Sequence, residues 1–196
     1  LLIQLLGRDK RYALEDPGYH KIRQIYAAGG VECVSVQLDA QGVLPESLGD
    51  AQVLHCSPSH HFPTGIVTPA ARRRQLLSWA AAEPGRYIIE DDYDSEFRFH
   101  AHPLPALLAM DRAGKVIYMN TFSKTLAPSI RISYMILPPA LMARFRETLG
   151  FYSCTVPSFE QYTLARFISR GHFEKHINRT RKASRSRRNK LIEIVK

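Results

Sequence analysis

The chain has 196 residues, 45% of them hydrophobic and 23% charged, with a formal net charge of +9. That length and apolar content suffice for one sizeable core with a small appendage. No run approaches about 20 uninterrupted apolar residues, so no helical membrane span is expected.

The opening Leu1-Leu2-Ile3-Gln4-Leu5-Leu6-Gly7 lacks a basic start and a small-residue cleavage site. It reads as the end of a truncated helix rather than as a signal peptide. Strand-like runs then alternate with helical ones. Strands are predicted over residues 11–15, 31–37, 52–56, 86–90, 115–121 and 132–137, and helices over 19–28, 69–82 and a short piece near 104–110. Apolar strand, crossover and apolar strand in succession predict an α/β fold, a mainly parallel sheet with helices on both faces. Runs such as Tyr87-Ile88-Ile89 and Val116-Ile117-Tyr118-Met119 suit strands buried on both sides.

After Pro138-Pro139 the pattern becomes purely helical, over residues 141–149, 158–169 and about 171–195. Pro157-Ser158 is a plausible start for the middle helix. A division is expected near residue 150, with 1–150 as the main domain and 151–196 as the helical start of a second, truncated one. Cys33, Cys56 and Cys154 are odd in number, far apart and without CxxC spacing, as expected of reduced thiols in a cytoplasmic protein.

The positive charge is concentrated. Residues 166–190 hold ten Lys or Arg against one acid, Glu174, while the rest of the chain balances at 17 of each sign. Such a run is ordinarily a solvated helix face. Contact with nucleic acid is the other reading, weakened for single strands because no aromatics are interleaved.

Three predicted strands end in unusual polar sequences. These are Ser57-Pro58-Ser59-His60-His61-Phe62-Pro63-Thr64-Gly65, then Asp91-Asp92-Tyr93, then Thr121-Phe122-Ser123-Lys124. Ligands of open parallel sheets collect beyond the carboxyl ends of the strands, so these groups should converge at one rim. A lysine, an acid and a tyrosine delivered there are what a protein needs to hold pyridoxal 5'-phosphate. Lys124 would form the Schiff base with the cofactor aldehyde and then move a proton at the substrate α carbon. Asp91 would keep the pyridine nitrogen protonated, although an Asp after a strand can also be a turn cap, as can Asp92 or Asp94. Tyr93 would reach the phenolic oxygen of the cofactor, or else serve in packing. Arg131 offers a fork for the phosphate, and Ser123 and Thr121 offer hydroxyls.

Other chemistries fit poorly. His55, His60 and His61 have no Cys or acidic partner at structural-metal spacing. The chain has no GxxxxGK[ST] phosphate loop, no GxGxxG opening a helix, and no serine flanked by the glycines of a nucleophile elbow.

Several segments together resemble the aminotransferase-like domain of MocR-type regulators of the GntR family, which have fold type I of pyridoxal-phosphate proteins. The segments are Glu15-Asp16-Pro17-Gly18-Tyr19-His20, Pro58 to Gly65, Glu90-Asp91-Asp92-Tyr93-Asp94-Ser95-Glu96-Phe97, Thr121 to Pro128, and Gly171-His172-Phe173 with the basic helix after it. They span nearly the whole chain in the expected order. The resemblance implies that Lys124 is the Schiff-base lysine, Asp91 meets the pyridine nitrogen, Tyr93 meets the phenolic oxygen, Arg131 meets the phosphate, and Tyr19 stacks on the ring. It further implies an amino acid or amine effector, DNA binding through an N-terminal winged helix absent from this chain, and a homodimer in the full-length protein. A catalytically active amino-acid aminotransferase is the alternative, since the same groups serve both.

The chain departs from the pattern at His60-His61-Phe62-Pro63, where the regulators usually have His-Gln-Phe-Pro. Ordinary aminotransferases carry Asn where Phe62 stands, and Tyr134 follows Ser133 rather than Gly. A glycine-containing phosphate turn upstream of residue 1 and a late substrate-clamping arginine belong to the family and lie outside the chain.

Overall fold

A computed structural model describes residues 1–97 and 104–195 of the chain. Seven strands form its sheet: β1 (Arg11–Asp16), β2 (Glu32–Asp39), β3 (Gly42–Val43), β4 (Val53–Cys56), β5 (Tyr87–Asp91), β6 (Val116–Thr121) and β7 (Ser133–Ile136). Their order is β3-β2-β1-β4-β5-β6-β7. The pairs β1–β2, β1–β4, β4–β5 and β5–β6 are parallel, and β2–β3 is antiparallel. The sheet is therefore mainly parallel, as the alternation of elements predicted.

Alternate strand residues feed two separate apolar clusters, as the two-residue period of a strand requires. Tyr12, Leu14, Val53, Ile89 and Ile117 face one, together with α1 (Leu2–Leu6), Tyr26 of α2 (His20–Ala28), and Leu141 and Leu149 of α6 (Pro139–Leu149). Ala13, Leu54, Cys56, Ile88 and Val116 face the other, against Leu76 and Ala80 of α3 (Ala70–Ala81) and Leu107 of α4 (Leu107–Met110). Helices thus cover both faces of the sheet, and Ile88 and Ile89 are both fully buried.

The chain's path explains where a ligand can sit. β1 pairs with β2 on one side and with β4 on the other, so the order of strands reverses at β1. Such a reversal splays the loops at the carboxyl ends of the two flanking strands and leaves a crevice between them.

Predicted strands and longer helices match the observed ones to within about two residues at each end. Among the features not anticipated are three. The short antiparallel β3 follows a turn in which the Gln41 amide donates to Asp39 Oδ1 at 2.7 Å and Gly42 takes φ 97°. Only glycine adopts that φ freely. Helix α4 starts at Leu107 rather than near 104, because the Leu107 and Leu108 amides end on the Glu90 carboxylate at 2.8 and 3.0 Å. A four-residue helix, α5 (Phe122–Thr125), follows β6 directly.

The chain divides into two compact units. The first comprises Leu1–Tyr93, Leu104–Asn120 and Tyr134–Tyr152, and holds both apolar clusters. The second comprises the described part of 94–103 with Thr121–Ser133 and 153–195. Within it α7 (Ser158–Ser169) and α8 (His172–Val195) meet at Gly171, whose φ of 70° turns the chain sharply. The first half of α8 is anchored: Ile177 is buried, Phe173 meets Phe122 at 5.8 Å between ring centroids, and His176 Nε2 donates to the Thr125 carbonyl at 3.0 Å. Arg181 donates twice to the Glu96 carbonyl, at 3.0 and 2.7 Å. The other basic residues of the helix, including Arg179, Lys182, Arg185, Arg187 and Arg188, are exposed. Among the described residues no helix is long and apolar enough to cross a membrane.

Candidate functional site

In the first unit the loops after β1, β4 and β5 touch one another through aromatic rings. Tyr19 lies in the loop between β1 and α2, exposed, with its ring edge-on to Phe62 at 6.0 Å and 89°. Phe62 belongs to the loop after β4, and His60 of that loop stacks on Tyr93 beyond β5 at 5.7 Å and 28°. The Asp16-Pro17 and Phe62-Pro63 peptides in these loops are cis.

A fully buried arginine holds the loop after β4. Arg73, on α3, donates through Nε to the Thr68 carbonyl at 2.9 Å, through Nη2 to Pro58 at 2.8 Å and through Nη1 to Pro105 at 2.9 Å. Its Nη1 is also 3.8 Å from Glu90 Oε1. Each carbonyl buried by the folded loop thereby gains a charge-assisted partner, which a buried polar group needs.

Acidic groups line the same rim. Glu15 Oε2 accepts the Ser57 amide at 3.0 Å and lies 3.6 Å from His61 Nε2. Burial pushes the Glu15 carboxyl up from 4.5 to about 8, the Ser57 hydrogen bond opposes this, and the charge of Asp91 adds to it. Burial also holds the His61 imidazole below its ordinary 6.5.

Asp91 ends β5 and pairs in register with Met119 of β6. Its side chain is 28% exposed and receives no hydrogen bond among the described residues. Behind it His55, in β4, presents Nε2 at 3.8 Å from Asp91 Oδ2. The opposite ring nitrogen, Nδ1, is 2.8 Å from the Tyr26 hydroxyl. Asp92 is oriented differently: it is buried, and its carboxylate accepts the Tyr118 hydroxyl at 2.7 Å. Asp94 occupies the left-handed region, at φ 56°.

In the second unit Thr121 caps α5, its hydroxyl oxygen accepting the Ser123 amide at 3.2 Å. That hydroxyl donates to the Ile132 carbonyl at 3.2 Å, and the Ser123 hydroxyl donates to the Ile130 carbonyl at 2.6 Å. Lys124, in the single turn of α5, is exposed. Arg131, also exposed, places Nη1 3.3 Å from Ser123 Oγ. A guanidinium beside a hydroxyl suits an oxyanion with several acceptor oxygens.

The seven residues singled out in the sequence thus fall into two groups, Tyr19, Asp91 and Tyr93 in the first unit and Thr121, Ser123, Lys124 and Arg131 in the second. Four supporting residues were given no role from sequence: Glu15, Tyr26, His55 and Arg73. Glu15 stands inside a motif, and His55 draws notice only as a poor metal candidate. Tyr26 and Arg73 read as ordinary helix residues. Among the described residues no group of three or more His, Cys, Asp or Glu side chains is placed to hold a metal ion.

Comparison with known proteins gives the family and the fold. The family described as aminotransferase class I and II matches residues 1–196. The uncharacterized HTH-type transcriptional regulator YdeL of Bacillus subtilis is 43% identical over 100% of this chain and 42% of its own length. The probable rhizopine catabolism regulatory protein MocR of Rhizobium meliloti is 32% identical over 93% of this chain and 37% of its own. The chain therefore spans about two fifths of the length of these curated relatives. Among solved structures, Pyrococcus horikoshii kynurenine aminotransferase, described in complex with PMP, superposes with a TM-score of 0.83. It is 29% identical, over 98% of this chain and 51% of its own. The similarity to MocR-type regulators carried by the motifs thus extends along the chain, and its sheet is that of fold type I aminotransferases. This chain belongs to the aminotransferase class I and II family.

Proposed function

We propose that the chain is the effector-sensing, pyridoxal-phosphate-binding part of a cytoplasmic DNA-binding regulator of the GntR/MocR type. The DNA-binding winged helix lies outside these residues, and the effector is an amino acid or amine. The observation that carries the cofactor reading is Asp91, a partly exposed carboxylate at the carboxyl end of β5 with no side-chain hydrogen bond among the described residues and a histidine behind it. A pyridinium nitrogen is the partner such a group suits. Ser123 and Arg131 form a fitting cradle for a phosphate, and the exposed Tyr19 ring offers an apolar face to a heterocycle. Each group by itself suits one part of pyridoxal 5'-phosphate, the first-unit residues its heterocycle and the second-unit residues its phosphate.

When bound, that cofactor supplies an aldehyde that condenses with amines and a ring that accepts electron density from the adjoining carbon. In this reading Asp91 holds the proton on the ring nitrogen, and Tyr93 donates a hydrogen bond to the phenolic oxygen. Arg131 and Ser123, with Thr121 buttressing the turn, bind the phosphate. Tyr19 covers one face of the ring and excludes water from it. The Lys124 amine would hold the cofactor at its aldehyde end and would be the group that carries a proton to and from an amino substrate. In this reading residues 1–150 would be the cofactor domain and 151–196 part of a smaller one, although the unit that holds α7 and α8 also includes Thr121–Ser133.

Greater identity to HTH-type regulators than to solved aminotransferases supports sensing over turnover. An active amino-acid aminotransferase is the second reading, favoured by a likeness to kynurenine aminotransferase over 98% of the chain. The test is borohydride reduction of the full-length protein with pyridoxal 5'-phosphate, followed by peptide mass mapping. The cofactor mass should appear on the peptide holding Lys124 and vanish in Lys124→Ala. A persistent adduct in that variant would refute the role of Lys124. Release of a keto acid from amino acids under single-turnover conditions would decide for the enzyme.

A further inference from the structure

Three side chains from three elements run in a line through the first unit. Tyr26 projects from α2, His55 from β4 and Asp91 from the end of β5. Tyr26 is 5% exposed and packs its ring against Tyr12 at 4.9 Å and edge-on to His55 at 5.7 Å. Its hydroxyl lies 2.8 Å from His55 Nδ1. His55 is 8% exposed, and its Nε2 is buried without a hydrogen-bond partner. The acidic group within ion-pair range of that nitrogen is Asp91, at 3.8 Å, which is outside hydrogen-bond reach.

A buried imidazole nitrogen without a partner is costly, and each such case calls for a reason. Tyr26 supplies one. Burial raises the Tyr26 phenol well above its ordinary value, so it keeps its proton and donates. His55 Nδ1 then accepts, which puts the ring proton of the neutral imidazole on Nε2, facing the carboxylate. The tautomer is thus set by the tyrosine for the benefit of Asp91.

The geometry points to Tyr26 and His55 as a positioning relay for Asp91, in which Tyr26 fixes the His55 tautomer and the Nε2–H faces Asp91 Oδ2 across 3.8 Å, orienting the carboxylate by charge–dipole attraction and leaving its other oxygen for a protonated ring nitrogen. This inference rests on the cofactor reading of Asp91 given above. Neither Tyr26 nor His55 touches the ligand. Their task is to keep the carboxylate aimed, and His55 moves no proton to substrate. Supporting partners of this kind orient the groups that do make contact, and a site without them is loosely held.

The test uses the full-length protein and four readouts. The first requires no cofactor: in protein labelled with ¹⁵N at histidine, the His55 resonances, assigned by their loss in His55→Gln, should report a fixed Nε2–H tautomer. In Tyr26→Phe, which keeps the ring and the packing, they should move toward a mixture of tautomers. The second is affinity for pyridoxal 5'-phosphate by absorbance titration, which should weaken about tenfold in His55→Leu and by less in Tyr26→Phe. The third is rescue: Gln retains an N–H donor, so His55→Gln should recover part of the affinity lost in His55→Leu. The fourth is the pH dependence of the bound cofactor's absorbance, which should move in Tyr26→Phe and His55→Leu.

Asp91→Asn and Lys124→Ala separate the two levels of the argument. If both lose the cofactor while Tyr26→Phe and His55→Leu match wild type in affinity and pH profile, and Tyr26→Phe keeps the wild-type His55 tautomer, the relay is wrong and the cofactor reading survives. If Asp91→Asn and Lys124→Ala bind and trap the cofactor like wild type, the cofactor reading fails, and the relay with it.

Discussion

The Ser57 amide donates to Glu15 Oε2 at 3.0 Å, tying the loop after β4 to the penultimate residue of β1. With His61 Nε2 3.6 Å away, that carboxyl sits where burial favours its neutral form. The sign of the resulting pH dependence follows from linkage. Glu15 titrates near 4.5 when unfolded and near 8 when folded, so across that window the native state holds a proton that the unfolded chain has lost. Stability must then fall as pH rises from 4.5 to 8. His61 acts in the opposite sense, because folding favours its neutral form, but its contribution is complete above about 6.5. Between pH 6.5 and 8 the decline should belong to Glu15. Urea midpoints in that range should fall with pH in wild type and stay nearly level in Glu15→Gln. An equal slope in both would place the titrating group elsewhere.

Arg73→Met should be among the most destabilising single changes in the first unit. It keeps much of the side-chain volume but takes the guanidinium away from the Thr68, Pro58 and Pro105 carbonyls, of which Pro58 keeps the Thr68 amide, and leaves Glu90 without its buried cation. Breaking a buried ion pair from one side costs about 3–5 kcal/mol. Chemical denaturation reads the effect directly, and a loss below 1 kcal/mol would mean the loop finds other donors.

Gly18 offers a sharper local probe. A Cβ at this position would collide with the Glu15 carbonyl oxygen, immediately before Tyr19. The loop must shift to accept it, at a cost of about 1–3 kcal/mol. Gly18→Ala should lower the melting temperature and weaken any ligand that uses the Tyr19 ring. Unchanged melting would show that the loop relaxes freely.

Arg131 can be tested by dividing the cofactor into parts. If its guanidinium and Ser123 grip a phosphate, Arg131→Ala should weaken pyridoxal 5'-phosphate about tenfold and leave dephosphorylated pyridoxal nearly unaffected. Equal losses for both compounds would assign Arg131 to folding.

Much of this architecture is legible in the residue order. Runs such as Tyr87-Ile88-Ile89 announce doubly covered strands, and Pro157-Ser158 marks a helix start where the chain indeed turns helical. The helix expected from 141, by contrast, begins two residues earlier, at Pro139. The hairpin at Gly42 escaped because a two-residue strand has no periodicity to detect. Its signal is the Asp39 side chain folding back on the Gln41 amide. The partnership of Tyr26, His55 and Asp91 escaped for a different reason. Alternation assigns a side chain to one face of a strand but does not say which strand lies beside it. Only the β1-β4-β5 adjacency brings these groups together. Nor does any local pattern reveal that the Thr125 carbonyl waits for His176, 51 residues later.

The reversal of strand order at β1 has a thermodynamic corollary. Tyr19 and Phe62 meet at that seam although the intervening chain passes through β2, β3 and β4. A small molecule lodged there would act as a clasp between early and late stretches of polypeptide, so that occupancy registers as cooperative resistance of the whole sheet to melting. Its grip would grow with free ligand concentration as a simple logarithm.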